Sequence, residues 1–148
     1  LTWEQLSLLA GDGCELAAHG YNHLYVNAKL MKNNPDAYHR ETVLSKKTIE
    51  ENTGVTVRVF VYPFGIHSPG CSGDLREKGY AAAFILRWKS AVSPLDVNPD
   101  PFELPRYMYM NNWNALSGHI TRSLDAKSKN GLKGNGHGKN GKVNGKVR

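Results

Sequence analysis

The sequence predicts one α/β domain built on a parallel sheet, layered or closed as a barrel, followed by a basic tail. Three observations carry that expectation. Stretches of helical periodicity alternate with short β-branched or apolar runs along residues 1–125, a pattern that favours parallel strands joined by helical crossovers. With 148 residues, 40% of them apolar, the chain is long enough for one buried core and short for two. Two chemically suggestive motifs, His19-Gly20-Tyr21-Asn22-His23 and Tyr62-Pro63-Phe64-Gly65, each follow directly on a predicted strand. In parallel α/β folds the working residues gather beyond the carboxyl ends of the strands.

Thr2-Trp3-Glu4-Gln5 reads as a capping box, in which the Thr2 hydroxyl and the Gln5 amide each satisfy a free backbone N–H. Trp3, Leu6, Leu9 and Ala10 then share one face of the first helix, which Gly11-Asp12-Gly13 stops. Cys14 to Ala18 is expected as a short buried strand with His19 at its end. A long outer helix should start at Asn34-Pro35-Asp36, with a cap followed by proline, and end at Gly54, its thin stripe being Tyr38, Thr42, Ser45 and Ile49. Val55 to Val61 is the clearest strand, and Pro63 forces the chain out of the sheet after it. A short helix from Gly70 to Gly79, strands at Ala81 to Leu86 and Glu103 to Tyr107, and a closing amphipathic helix through Trp113, Leu116, Ile120 and Leu124 complete the domain.

The net charge of +6 would point to a polyanionic partner if it were spread over the fold. It is not. Seven of the 19 Lys and Arg residues lie in 126–148, which contains no acid, leaving 12 against 13 Asp and Glu in the body. The segment 126–148, rich in Gly, Asn and Lys, is expected to be disordered because it has too little apolar surface to offset its ordering entropy. No apolar run reaches the roughly 18 residues of a membrane span. Cys14 and Cys71 are compatible with one disulfide or with two thiols.

His19 and His23 are the candidate metal ligands. Imidazole is the commonest protein ligand for a borderline divalent ion, and two at i and i+4 converge when a helical turn follows the strand. Alone, the spacing also suits two ordinary turn histidines. Tyr62 to Gly65 by itself is a strand-ending turn. Arg106 would orient a carboxylate or pair across the floor of the fold, while Trp88 and Trp113 suit sugar stacking or, more simply, core packing. His39 is expected in solvent, and Cys71 as an inert thiol.

Taken together, T-W-E-Q at the first helix, His19-x-x-x-His23, Ser45-Lys46 and Thr53-Gly54 on the long helix, Tyr62-Pro63-Phe64-Gly65, Gly79-Tyr80-Ala81-Ala82-Ala83-Phe84 and Leu104-Pro105-Arg106 resemble the polysaccharide deacetylase family with its NodB homology domain, carbohydrate esterase family 4. The resemblance covers about residues 1–125. It implies a distorted (β/α) barrel of the NodB deacetylase type, here lacking its first strand, so that 1–125 would be a partial domain and 126–148 a tail. It further implies a divalent metal, most often Zn2+, on His19 and His23, an oxyanion donor in the Tyr62 backbone N–H, and substrate contacts from Pro63, Phe64 and Arg106. The implied reaction is hydrolysis of acetamide groups on an N-acetylglucosamine-containing polysaccharide or oligosaccharide. An extracytoplasmic location, secreted, periplasmic or cell-surface, goes with it, and no nucleic-acid partner is expected.

Three departures from the family pattern stand out. The T-F-D-D motif that supplies a metal-binding and a general-base aspartate is missing ahead of Thr2, where upstream sequence and any signal peptide would lie. Gly20 replaces the Ser or Thr that usually follows the first histidine, so a looser loop is expected. The late general-acid histidine has no clear counterpart, since His67 and His119 both sit out of place. The alternative is therefore a noncatalytic carbohydrate-binding or basic-tail interaction module.

Overall fold

The computed structural model describes residues 1–86, 100–106 and 112–133, with backbone alone at 123 and 126–133. Trp88, Tyr107 and the last part of the basic tail, 134–148, lie outside the described residues. Four parallel strands, β1 (Ala17–Ala18), β2 (Val59–Val61), β3 (Ala82–Leu86) and β4 (Leu104–Arg106), pair in the order β1-β2-β3-β4. Strand order equal to chain order is single winding, the arrangement that bends into a barrel wall, whereas a doubly wound sheet reverses at its centre. The described sheet is therefore singly wound and of the expected parallel α/β type.

Helix α1 (Trp3–Gly11) begins as its sequence dictates: Thr2 Oγ1 accepts from the Gln5 N–H at 3.3 Å, and Gln5 Oε1 accepts from the Thr2 N–H at 2.9 Å. The expected strand at Cys14 is shorter, because only Ala17 and Ala18 find partners, in Val59 and Phe60. Helix α2 (Ala28–Asn33), which the sequence did not announce, is capped by Asn27. The long outer helix is present but has three parts: α3 (Pro35–His39), a π-helical turn at Arg40–Leu44, and α4 (Ser45–Thr53). Gly54 ends it at φ 72°, the left-handed stop its position called for. Val55 to Val57 do not join the sheet; the Val57 N–H is held by the Glu50 side chain at 2.9 Å instead, the Arg58 carbonyl accepts from the Ala81 N–H at 2.8 Å, and β2 starts at Val59.

Helix α5 (Pro69–Glu77) contributes Cys71 and Leu75, both fully buried, to the core that also holds Phe60, Ala83 and Ile85. On β3, Ala83 and Ile85 are buried while Ala82, Phe84 and Leu86 are half-buried, so the sheet has one deep face. That core joins Phe60, Tyr62, Tyr80 and Phe102, with the Phe60 ring set edge-on to Tyr62 at 5.3 Å and to Tyr80 at 5.4 Å. Tyr38 reaches across from α3 to Asp74 of α5, its hydroxyl donating at 2.8 Å. Burial, and then the hydrogen bond to the Asp74 carboxylate, raise the Tyr38 phenol well above its ordinary range.

Helix α6 (Trp113–Lys133) runs past 125, the boundary expected for the domain. Once a helix exists, each added residue closes one more backbone bond, and lysines near its carboxyl end suit its dipole. Its stripe stays open: Trp113, Ile120 and Leu124 are 67%, 48% and 63% exposed. Trp113, expected in the core, is therefore a surface residue.

Candidate functional site

His19 leaves the sheet directly after β1, and its Nδ1–H donates to the Val61 carbonyl of β2 at 2.7 Å. A carbonyl can only accept, so this bond fixes the tautomer and leaves the lone pair on Nε2. Beyond Gly20, Tyr21 and Asn22 the chain turns back through His23, whose φ of 57° is rare for a side-chain-bearing residue. The turn brings His23 Nε2 to 3.2 Å from His19 Nε2, and both residues are solvent-exposed. Two nitrogens bound to one tetrahedral zinc ion at about 2.0–2.1 Å stand about 3.3 Å apart. The pair thus fits two coordination positions of a single ion. Among the described residues no group of three or more His, Cys, Asp or Glu side chains converges, so the third protein ligand is not found there.

What holds the loop is a residue that its sequence context does not single out. Glu41 is fully buried, and its carboxylate accepts from the N–H groups of Tyr21 at 3.0 Å, Asn22 at 2.8 Å and Leu24 at 3.2 Å. Gly20 has φ 81°, and a β-carbon there would overlap Glu41 Oε2 and come within 3.3 Å of Pro63 Cγ. The expectation of a looser loop at Gly20 is thereby corrected. A hydroxyl-bearing side chain is replaced by close approach of a buried carboxylate, and glycine is what admits it.

The turn after β2 lies beside this loop. Gly65, at φ 68°, is required, since a β-carbon would overlap Leu86. Pro63 is buried beneath Gly20, while Phe64, 45% exposed with φ 60°, stacks on Tyr25 at 4.1 Å and meets the His23 ring edge-on at 4.5 Å. Two non-glycine residues with positive φ, His23 and Phe64, therefore touch each other. Conformations of this kind cost roughly 1–3 kcal/mol and cluster at functional sites.

The Tyr62 N–H, expected as an oxyanion donor, here donates to the Phe84 carbonyl at 3.0 Å, as a continuation of the sheet ladder. Its side chain is buried too, and burial raises its phenol above the ordinary range. Arg106 ends β4 on the same carboxyl edge as His19, half-buried, with Nε lacking a hydrogen-bond partner among the described residues. His67 is occupied elsewhere: Nδ1 lies 2.9 Å from Glu103 and Nε2 2.9 Å from the Ser72 hydroxyl, so this imidazole braces α5 against the segment before β4. Cys71 is a buried thiol and Cys14 an exposed one, with no disulfide between them, and His39 is exposed as expected.

Residues 2–83 match the family model described as polysaccharide deacetylase. No curated protein compared with the chain matches it. Among solved structures it is similar to a de-N-acetylase from Aggregatibacter actinomycetemcomitans, with 20% identity and a TM-score of 0.62, over 80% of this chain and 53% of that one. The chain spans about half the length of that protein, and at this identity the likeness speaks for the fold. With more than half of its 148 residues inside the family match, and paired histidines opening from the carboxyl edge of a singly wound parallel sheet, the chain belongs to the polysaccharide deacetylase family.

Proposed function

We propose that this chain carries part of the active site of a metal-dependent polysaccharide N-deacetylase. The observation that carries the reading is the 3.2 Å approach of the two Nε2 atoms, with His19 locked in the tautomer that presents a lone pair. His19 and His23 would hold a divalent ion, and zinc suits an imidazole pair of this geometry. When bound, such an ion supplies Lewis acidity toward an amide carbonyl and toward water. The net reaction adds water across the acetamide C–N bond, giving acetate and the free amine of a glucosamine unit.

The chain's own residues would present the substrate. Phe64 and Tyr25 form an exposed aromatic wall against His23, and a sugar ring packs well on such a face. Pro63 shapes the floor below Gly20 and is too buried to touch a glycan itself. Arg106 stands half-buried at the same sheet edge, where its guanidinium would donate to a carboxylate or a sugar oxygen. Among the described residues no helix is long and apolar enough to cross a membrane. Work outside the cytoplasm is proposed on the strength of the family alone.

A second reading, glycan binding without turnover, is favoured by one observation: no carboxylate joins the histidine pair among the described residues. The two readings separate in an acetate-release assay on acetylated glucosamine oligomers with zinc or cobalt supplied. Among the described residues no carboxylate joins the pair to act as general base, and lack of such a base typically removes about 10²- to 10⁴-fold of rate, so residues 1–148 alone should release little acetate. A fusion that places a T-F-D-D strand ahead of Leu1 should release it, and His19→Ala in that fusion should abolish the release. A fusion that binds oligomers yet releases no acetate would leave the noncatalytic reading standing.

A further inference from the structure

We propose that Glu41 is the positioning residue of the histidine pair, setting the loop geometry on which metal binding depends. The inference rests on the metal reading above and adds a residue that neither ligates nor touches substrate. Glu41 receives three backbone N–H bonds from Tyr21, Asn22 and Leu24, residues that bracket His23 on both sides. A buried carboxylate is costly unless it is fully engaged, and among the described residues no Lys, Arg or His pairs with this one. Its negative charge is met by loop amides alone. In the arrangement that satisfies Glu41, His23 has φ 57° and its Nε2 faces His19.

The helix bearing Glu41 is itself adapted for this. Arg40–Leu44 is a π-helical turn, and Glu41 lies within this locally widened winding. The carbonyls around the widened turn are satisfied by side chains: Thr42 Oγ1 donates to Tyr38 O at 2.8 Å, Ser45 Oγ to Glu41 O at 2.6 Å, and the Tyr80 hydroxyl to Thr42 O at 2.7 Å. Three separate side chains thus support the turn that aims one carboxylate. Turns of this type are frequent at functional sites, and here the residue so aimed holds the loop that carries both histidines.

The test compares Glu41→Gln with wild type and with Val57→Ala, a destabilised control whose position is equally buried but lies away from the loop. Zinc affinity is measured by competition with a chromophoric chelator, and amide hydrogen exchange is followed at Tyr21, Asn22 and Leu24. Glu41→Gln should weaken zinc binding at least about 10-fold, in the range typical for loss of a residue that orients metal ligands. It should also speed exchange of the three amides by about the same factor or more, while Val57→Ala changes neither beyond its general loss of stability. Should Glu41→Gln not fold, Glu41→Asp, which keeps the charge on a shorter arm, is expected to lose part of the affinity. Zinc affinity within about twofold of wild type in the folded variant overturns the proposal. If wild type binds no zinc, the metal reading fails on its own, and the positioning claim is then decided by exchange: protection that survives Glu41→Gln overturns it.

Discussion

Replacing Gly20 by alanine would put a β-carbon where the Glu41 carboxylate already lies. Two costs add. A side-chain-bearing residue at φ 81° loses about 1–2 kcal/mol against glycine, as at any left-handed position. The carboxylate must then retreat from part of its set of three N–H donors, and hydrogen bonds to a charged group contribute about 1.5–3 kcal/mol each. With the backbone part included, losing one of them gives a total of about 2.5–5 kcal/mol, and losing two about 4–8 kcal/mol. Gly13 supplies the control, since it has φ 92° with nothing within 4 Å of the position a β-carbon would take. Gly13→Ala should lose only the backbone part, about 1–2 kcal/mol. Urea unfolding followed by circular dichroism measures both, and Gly20→Ser, which restores the residue type usual in the family, should cost at least as much as Gly20→Ala. Equal losses for Gly13→Ala and Gly20→Ala would refute the claim that Glu41 presses on Gly20.

Burial raises the Tyr38, Tyr62 and Tyr80 phenols, so the folded chain holds these protons longer than the unfolded one. Stability should therefore fall as pH rises through about 10, the unfolded value, and an ultraviolet titration should show these three phenols ionising only together with unfolding. Phe60 is fully buried between Tyr62 and Tyr80, and Phe60→Ala should cost about 3–5 kcal/mol in chemical denaturation. Phe64→Gly should leave stability nearly unchanged, because about 1–2 kcal/mol of relieved backbone cost offsets the lost ring contacts, yet weaken binding of acetylglucosamine oligomers severalfold in calorimetry.

Local signals carried the element order. The Thr2–Gln5 capping box, the proline start at Pro35 and the glycine stop at Gly54 depend on neighbours in sequence, and each stands where its residues predict. The two histidine rings do meet, but through a bend with positive φ at Gly20 and His23 rather than through the helical turn that their spacing suggested. What escaped depended on distant partners. Glu41 sits 17 to 20 positions from the amides it holds, and in sequence it is one more acid on a charged helix. The Tyr62 N–H, an oxyanion donor by resemblance to the family, is handed to Phe84 by the register of β2 against β3. Trp113 has the periodicity of a core face, and periodicity does not say whether a partner surface lies opposite.

The most direct measurement is a calorimetric zinc titration of the wild-type chain, His19→Ala and His23→Ala. The expected result is one ion per chain and a loss of affinity of about 10-fold or more in each single variant, because both Nε2 atoms serve the same ion. Equal zinc affinity in all three proteins would contradict it.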